Sequence, residues 1–190
     1  MSSGNKLILK LAGAILVLCL ILFVIFRYNT KAHSPEETIT YNRENIKLEV
    51  FYNRPYKRDR EIFGGLVPYN EVWRTGANEA TTFESSKDIL VDGSLLKAGK
   101  YTLWTIPKED SWKVIFNSQM YPWGIDTDKK ASRDPEFDVL VIERPVITTS
   151  ESLEQFSIYF EDDGEFINLI LAWDKTKVLV PLIPEGSAIK

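Results

Sequence analysis

Hydrophobic residues follow two different rules along this chain. From Leu7 to Phe26 they run without interruption except at Lys10. A helix of about twenty such residues spans the roughly 30 Å hydrocarbon layer of a bilayer, and Lys10 lies close enough to one end to snorkel. Beyond about Thr38 the apolar residues come in short runs separated by turn residues. In Ile46–Tyr52 they alternate, so Ile46, Leu48, Val50 and Tyr52 line one face of a half-buried strand.

Further strands are expected at Ala80–Glu84, Asp88–Val91, Tyr101–Ile106, Trp112–Asn117, Val139–Glu143, Gln155–Phe160, Phe166–Trp173 and Val178–Ile183. Asp92-Gly93 and Asp163-Gly164 are hairpin dipeptides. No helical period follows the first apolar run. The pattern predicts an all-β domain, an antiparallel β-sandwich with Greek-key-like connections, preceded by one N-terminal transmembrane helix. Its divisions are a short cytoplasmic tail over 1–6, a signal-anchor helix over 7–26, a polar linker over 27–38 and the sandwich over 39–190. A cleaved signal peptide is the rival reading, with Thr30-Lys31-Ala32 a weak small-x-small site. Lys6 and Lys10 face Arg27 and Lys31 across the span, so charge alone leaves orientation open. The short tail favours a single-pass protein with its domain outside the cytoplasm, periplasmic or extracellular.

Two local features bear on the domain. In Leu96–Tyr101 a glycine precedes a tyrosine at the start of a strand, as in a tyrosine corner, where the hydroxyl bonds backbone a few residues upstream. Between Asn117 and Asp138 the chain has no clear element but holds Tyr121-Pro122-Trp123-Gly124. Loops of that length are usually functional or disordered, and the aromatic cluster favours order.

Composition narrows the chemistry. Cys19 is the only cysteine and lies within the apolar run; His33 is the only histidine and lies outside the expected domain. Ser-His-Asp hydrolysis, thiolate chemistry and cysteine metal sites are therefore excluded from the domain. Neither a phosphate-binding glycine loop nor a dinucleotide fingerprint is present, and no cofactor or metal is expected. Asp126-Thr127-Asp128 and Glu161–Glu165 read as solvated acidic turns rather than calcium loops. From Ala32 onward there are 19 Lys and Arg against 27 Asp and Glu, a net charge of −8. That balance argues against nucleic acid and anionic lipid as principal partners; the membrane is expected as a partner through Leu7–Phe26.

The densest polar segment is Val72–Phe83, VWRTGANEATTF. One reading is structural: Trp73 anchors the core, Arg74 and Glu79 form a buried pair, and Gly76-Ala77-Asn78 makes a turn with positive φ. The other is a binding site for a glycan or small anion, with Arg54 and Arg60 as anion contacts, Asn78 and Glu79 as orienting groups, Arg74 as their partner or a direct contact, and Trp123 as a platform from the long loop. A carboxylate-dependent glycan hydrolase and a purely structural module are the alternatives; the first requires two carboxylates facing one cleft.

Tyr52-Asn53-Arg54-Pro55, Arg60–Pro68, Val72–Thr81, Ala98–Tyr101 and Trp112–Asn117 together resemble the bacterial family of domain of unknown function 2911. The Trp-Arg-Thr-Gly-Ala-Asn-Glu run is its most specific part. The resemblance covers most of Ile39–Pro184 and implies an exported or envelope-associated β domain. It implies no established activity and transfers no catalytic residue.

Overall fold

The computed structural model describes residues 3–43 and 46–184. The first two residues of the expected tail and the last six of the expected domain lie outside them. Helix α1 spans Ser3–His33, and nine strands follow: β1 Glu36–Arg43, β2 Ile46–Asn53, β3 Thr82–Ser85, β4 Ile89–Val91, β5 Ser94–Leu96, β6 Gly99–Pro107, β7 Ser111–Asn117, β8 Asp138–Asp162 and β9 Ile167–Pro184. All pair antiparallel, in the order β1-β2-β3-β6-β7-β8-β9-β4-β5.

The fold class is the expected one. The sheet becomes a sandwich because β8 changes partner along its length. Asp138–Pro145 pairs with β7 up to Pro145 against Ser111, and from Val146 onward the strand pairs with β9. The proline stands where one ladder ends and the other begins, the place a strand tolerates a missing donor. Two expected strands are therefore halves of one, and the same holds for β9. After β3 the chain leaves the first half-sheet, adds the β4–β5 hairpin beside β9, and returns as β6 next to β3. Asp92 and Gly93 at that hairpin's tip have φ of 50° and 80°, the positive pair of a tight hairpin turn.

One buried cluster joins the inner faces. Leu48, Val50 and Tyr52 of β2, Phe83 of β3 and Val114 and Phe116 of β7 meet Phe156 and Ile158 of β8 and Leu169, Leu171 and Trp173 of β9. The Tyr52 hydroxyl locks the two halves, accepting from Ile158 N at 2.9 Å. Burial first, then the Glu37 carboxylate beside it, pushes that phenol's pKa up. Trp73 is buried among Phe63, Trp112, Phe156 and Trp173, with centroids 4.9–6.1 Å apart, so it is the core anchor expected. The tyrosine corner is present as well: Tyr101 Oη donates to Lys97 O at 2.8 Å.

Two elements differ from the sequence reading. Strand β1 falls in residues that carry charge at both ends, EETITYNR. It is an edge strand paired only with β2, and edge strands are blunted by just such polar residues. Helix α1 does not stop at Phe26 but continues to His33, so only Ser34 and Pro35 separate it from β1, where a polar linker over 27–38 was expected.

The outer face of β6 and β7 is covered by the long loop. Tyr121 stacks edge-on against buried Trp104 at 5.5 Å, and Ala131 packs on the same patch with Ala80 and Ile115. The Tyr121 hydroxyl accepts from Asp134 N at 2.8 Å, Asn117 donates to Asp134 O at 2.7 Å, and Arg133 pairs with Asp138. The aromatic cluster orders this loop.

Candidate functional site

Thr30 and Lys31 lie three and four residues after Arg27 and share one face of the end of α1 with it, and Ser34, just past the helix, is buried. That face is covered by the domain, whereas the apolar side chains before it are exposed. Lys31 Nζ donates to Glu79 Oε2 at 2.7 Å and to Asn53 Oδ1 at 2.9 Å, and it makes a second ion pair with Glu36 Oε2 at 2.7 Å. Arg27 bonds the other oxygen of Glu79, and Asn53 Nδ2 donates to Glu79 Oε2 at 3.0 Å. Asn78 Nδ2 reaches the helix backbone at Thr30 O, 3.3 Å away. Phe26 meets Trp123 at 6.2 Å between centroids.

The local sequence explains how this socket forms. Thr75, Gly76 and Asn78 have φ of 53°, 149° and 58°, a left-handed excursion that reverses the chain. For a β-branched threonine that conformation is an outlier, held because Thr81 Oγ1 donates to Thr75 O at 2.7 Å and Thr75 Oγ1 to Thr105 Oγ1 at 3.2 Å. A Cβ on Gly76 would lie 2.9 Å from Asn53 O. The glycine therefore lets the turn press against the end of β2 and present Glu79 beside Asn53.

Arg74 and Glu79 do not form the expected buried pair. The reversal carries Glu79 toward α1 and Arg74 to the loop side, where its stem lies against Gly124; a Cβ there would meet Arg74 Cδ at 2.2 Å. Burial by itself pushes the Glu79 carboxyl up, but hydrogen bonds from Lys31 and Arg27 outweigh it and hold the group at about 2. Arg74 Nε is buried without a hydrogen-bond partner among the described residues, and burial works against its charge. Arg74 lines a cavity of about 220 Å³ with Leu66, Val67, Pro68, Glu71, Val72, Trp73, Ile125, Lys129 and Ala131.

Of the six residues singled out in the sequence, Asn78, Glu79 and Trp123 converge on α1, and Arg74 lines the cavity. Arg54 is spent on internal contacts, to Glu37 Oε1 at 3.2 Å, Ser157 Oγ at 2.9 Å and Phe156 O at 3.3 Å. Arg60 is exposed and caps its own loop at Lys57 O and Tyr56 O. Sequence reading passed over Arg27, Lys31 and Asn53. Their signals were the four-residue spacing of the two cations past the apolar run, and an amide at the buried end of an alternating strand.

The acidic turns bond their own backbone. Asp126 accepts from Asp128 N and Lys130 N, and Asp163 from Glu165 N and Phe166 N. The carboxylates Glu79, Glu143, Asp162, Asp163 and Asp174 are held below their ordinary range. A glycosidase's general acid needs the opposite displacement.

Fold and site define a class: an antiparallel β-sandwich gripping the end of an N-terminal helix long and apolar enough to cross a membrane. The chain belongs to the family described as protein of unknown function (DUF2911), whose model matches residues 34–182. No curated protein and no solved structure matches it.

Proposed function

We propose that this protein is a single-pass membrane protein that carries a non-catalytic binding module, for a glycan or anionic envelope ligand, outside the cytoplasm. The observation that supports it is the grip of Glu79 on Arg27 and Lys31. These cations directly follow an apolar helical stretch, Leu7–Phe26, whose large side chains are exposed, so the module sits at the membrane surface in one orientation rather than on a loose tether. Trp123 beside Phe26 belongs at the same level, where aromatic rings are favoured at the bilayer interface. The ligand face is the one built by Val72–Phe83 and the long loop, with Arg74 as its anion contact.

The test is alkaline carbonate extraction of membranes, combined with protease added to the outside of sealed spheroplasts. The full-length chain should stay in the pellet while its domain is digested from outside. Recovery of a shortened, soluble domain would overturn the anchor, and protection from protease would overturn the orientation.

A further inference from the structure

The cavity beside Arg74 has the composition of a site for a small amphiphilic anion. Seven of its ten lining residues are apolar, Leu66, Val67, Pro68, Val72, Trp73, Ile125 and Ala131, while the surface turned to the cavity is part apolar and somewhat more polar. Two cations join that wall, Arg74 and the exposed Lys129, and neither has an ion-pair partner among the described residues. Arg74 as a whole is only part-buried, but its Nε has lost water with no acceptor in return, which is costly for a charged group. The glycine at 124 is what leaves Arg74 room in this position.

We propose that the cavity binds a monocarboxylate with a short apolar or aromatic body, its carboxylate on Arg74 and its apolar part against Trp73 and Ile125. This deepens the binding-module reading and gives its ligand a chemical class. The volume of about 220 Å³ corresponds to about seven waters at roughly 30 Å³ each, enough for a benzoate-sized molecule. A guanidinium fork matches a carboxylate. Glu71 on the same wall lowers the local positive charge, which favours a monoanion over a phosphate dianion.

The experiment is titration of the full-length protein in uncharged detergent with benzoate, inorganic phosphate and glucuronate, followed by calorimetry and tryptophan fluorescence. Benzoate should bind saturably and perturb Trp73 emission. Arg74→Gln should weaken it about tenfold or more, the loss of a charge-assisted hydrogen bond, and Lys129→Ala by a smaller factor. Arg60→Ala should leave it unchanged. Since Arg74→Gln risks the local packing, the Lys129→Ala effect and competition between benzoate and hexanoate stand as independent readouts. Benzoate binding that is indifferent to both cavity cations would overturn the proposal. So would phosphate or glucuronate binding in its place through Arg74, which would leave the module reading intact. Silence from all three ligands would count against both.

Discussion

Lys31 and Glu79, 48 residues apart, meet through a 2.7 Å ion pair in which both side chains are about four-fifths buried, with 21% and 17% of their surface exposed. One belongs to the helix that carries the apolar run and the other to the most polar segment of the β domain. Because Asn53 bonds both of them, helix and sandwich share one hydrogen-bonded unit.

Replacing Glu79 by Gln leaves Arg27 and Lys31 without the charge they both address. A pair this far from water lies between exposed pairs, worth up to about 1 kcal/mol, and fully buried ones, where breaking costs about 3–5 kcal/mol. The expected loss is about 1–3 kcal/mol, with α1 released from the domain. Spin labels on α1 and on the long loop check it: a distance distribution as narrow as wild type's would show that Glu79 does not hold the helix.

Acid should undo the same contact. Glu79 titrates at about 2 in the folded protein against an ordinary value of 4.5. The folded value is the lower, so the stabilisation is fully present above about 4.5 and is lost as pH falls toward about 2. The stability difference between wild type and Glu79→Gln should be constant from neutral pH to about 5 and shrink below that. Denaturant melts of both proteins across that range measure it; a difference that grows on acidification has the wrong sign for this account.

Gly124→Ala places a methyl group where the Arg74 stem now lies, 2.2 Å from Cδ and 2.7 Å from Cβ. These are the near atoms of the side chain, which cannot swing away as its tip could. The expected outcome is displacement of Arg74 with a cost of about 1–3 kcal/mol, typical of overpacking. Thermal unfolding reads the cost; a variant as stable as wild type would mean that loop and arginine separate freely.

Tyr101→Phe removes only the hydroxyl that donates to Lys97 O at 2.8 Å. A net loss of about 1 kcal/mol is expected, with the fold and the grip on α1 unchanged. Equilibrium denaturation checks it, and a null effect would reduce the tyrosine corner to a coincidence of geometry.

Much of the architecture was legible because it depends on local patterns. The alternation in Ile46–Tyr52 marked β2, the Asp-Gly dipeptides marked both hairpin tips, and Trp73 read correctly as a core residue. Strand β1 was hidden because an edge strand buries little and carries the composition of a linker. The continuity of β8 was hidden because its middle, Thr148–Gln155, is mostly exposed and its ladder to β9 shifts register there, so no buried alternation marks it. Within the polar segment the left-handed turn could be read from Gly76 and Asn78, but the partners of its charges could not.

What the sequence determined by itself is the apolar helix, the β class of the domain after it, and the supply of charged groups in VWRTGANEATTF. Periodicity and turn chemistry act over a few residues, so one dimension suffices to state them. Only the tertiary structure decided that Glu79 faces Lys31 and Arg27 while Arg74, five residues earlier, is left beside an apolar cavity. Ion pairs and cavities are set by which chain segments are brought within a few ångströms, and a carboxylate selects among cations by distance and burial in space rather than by position along the chain.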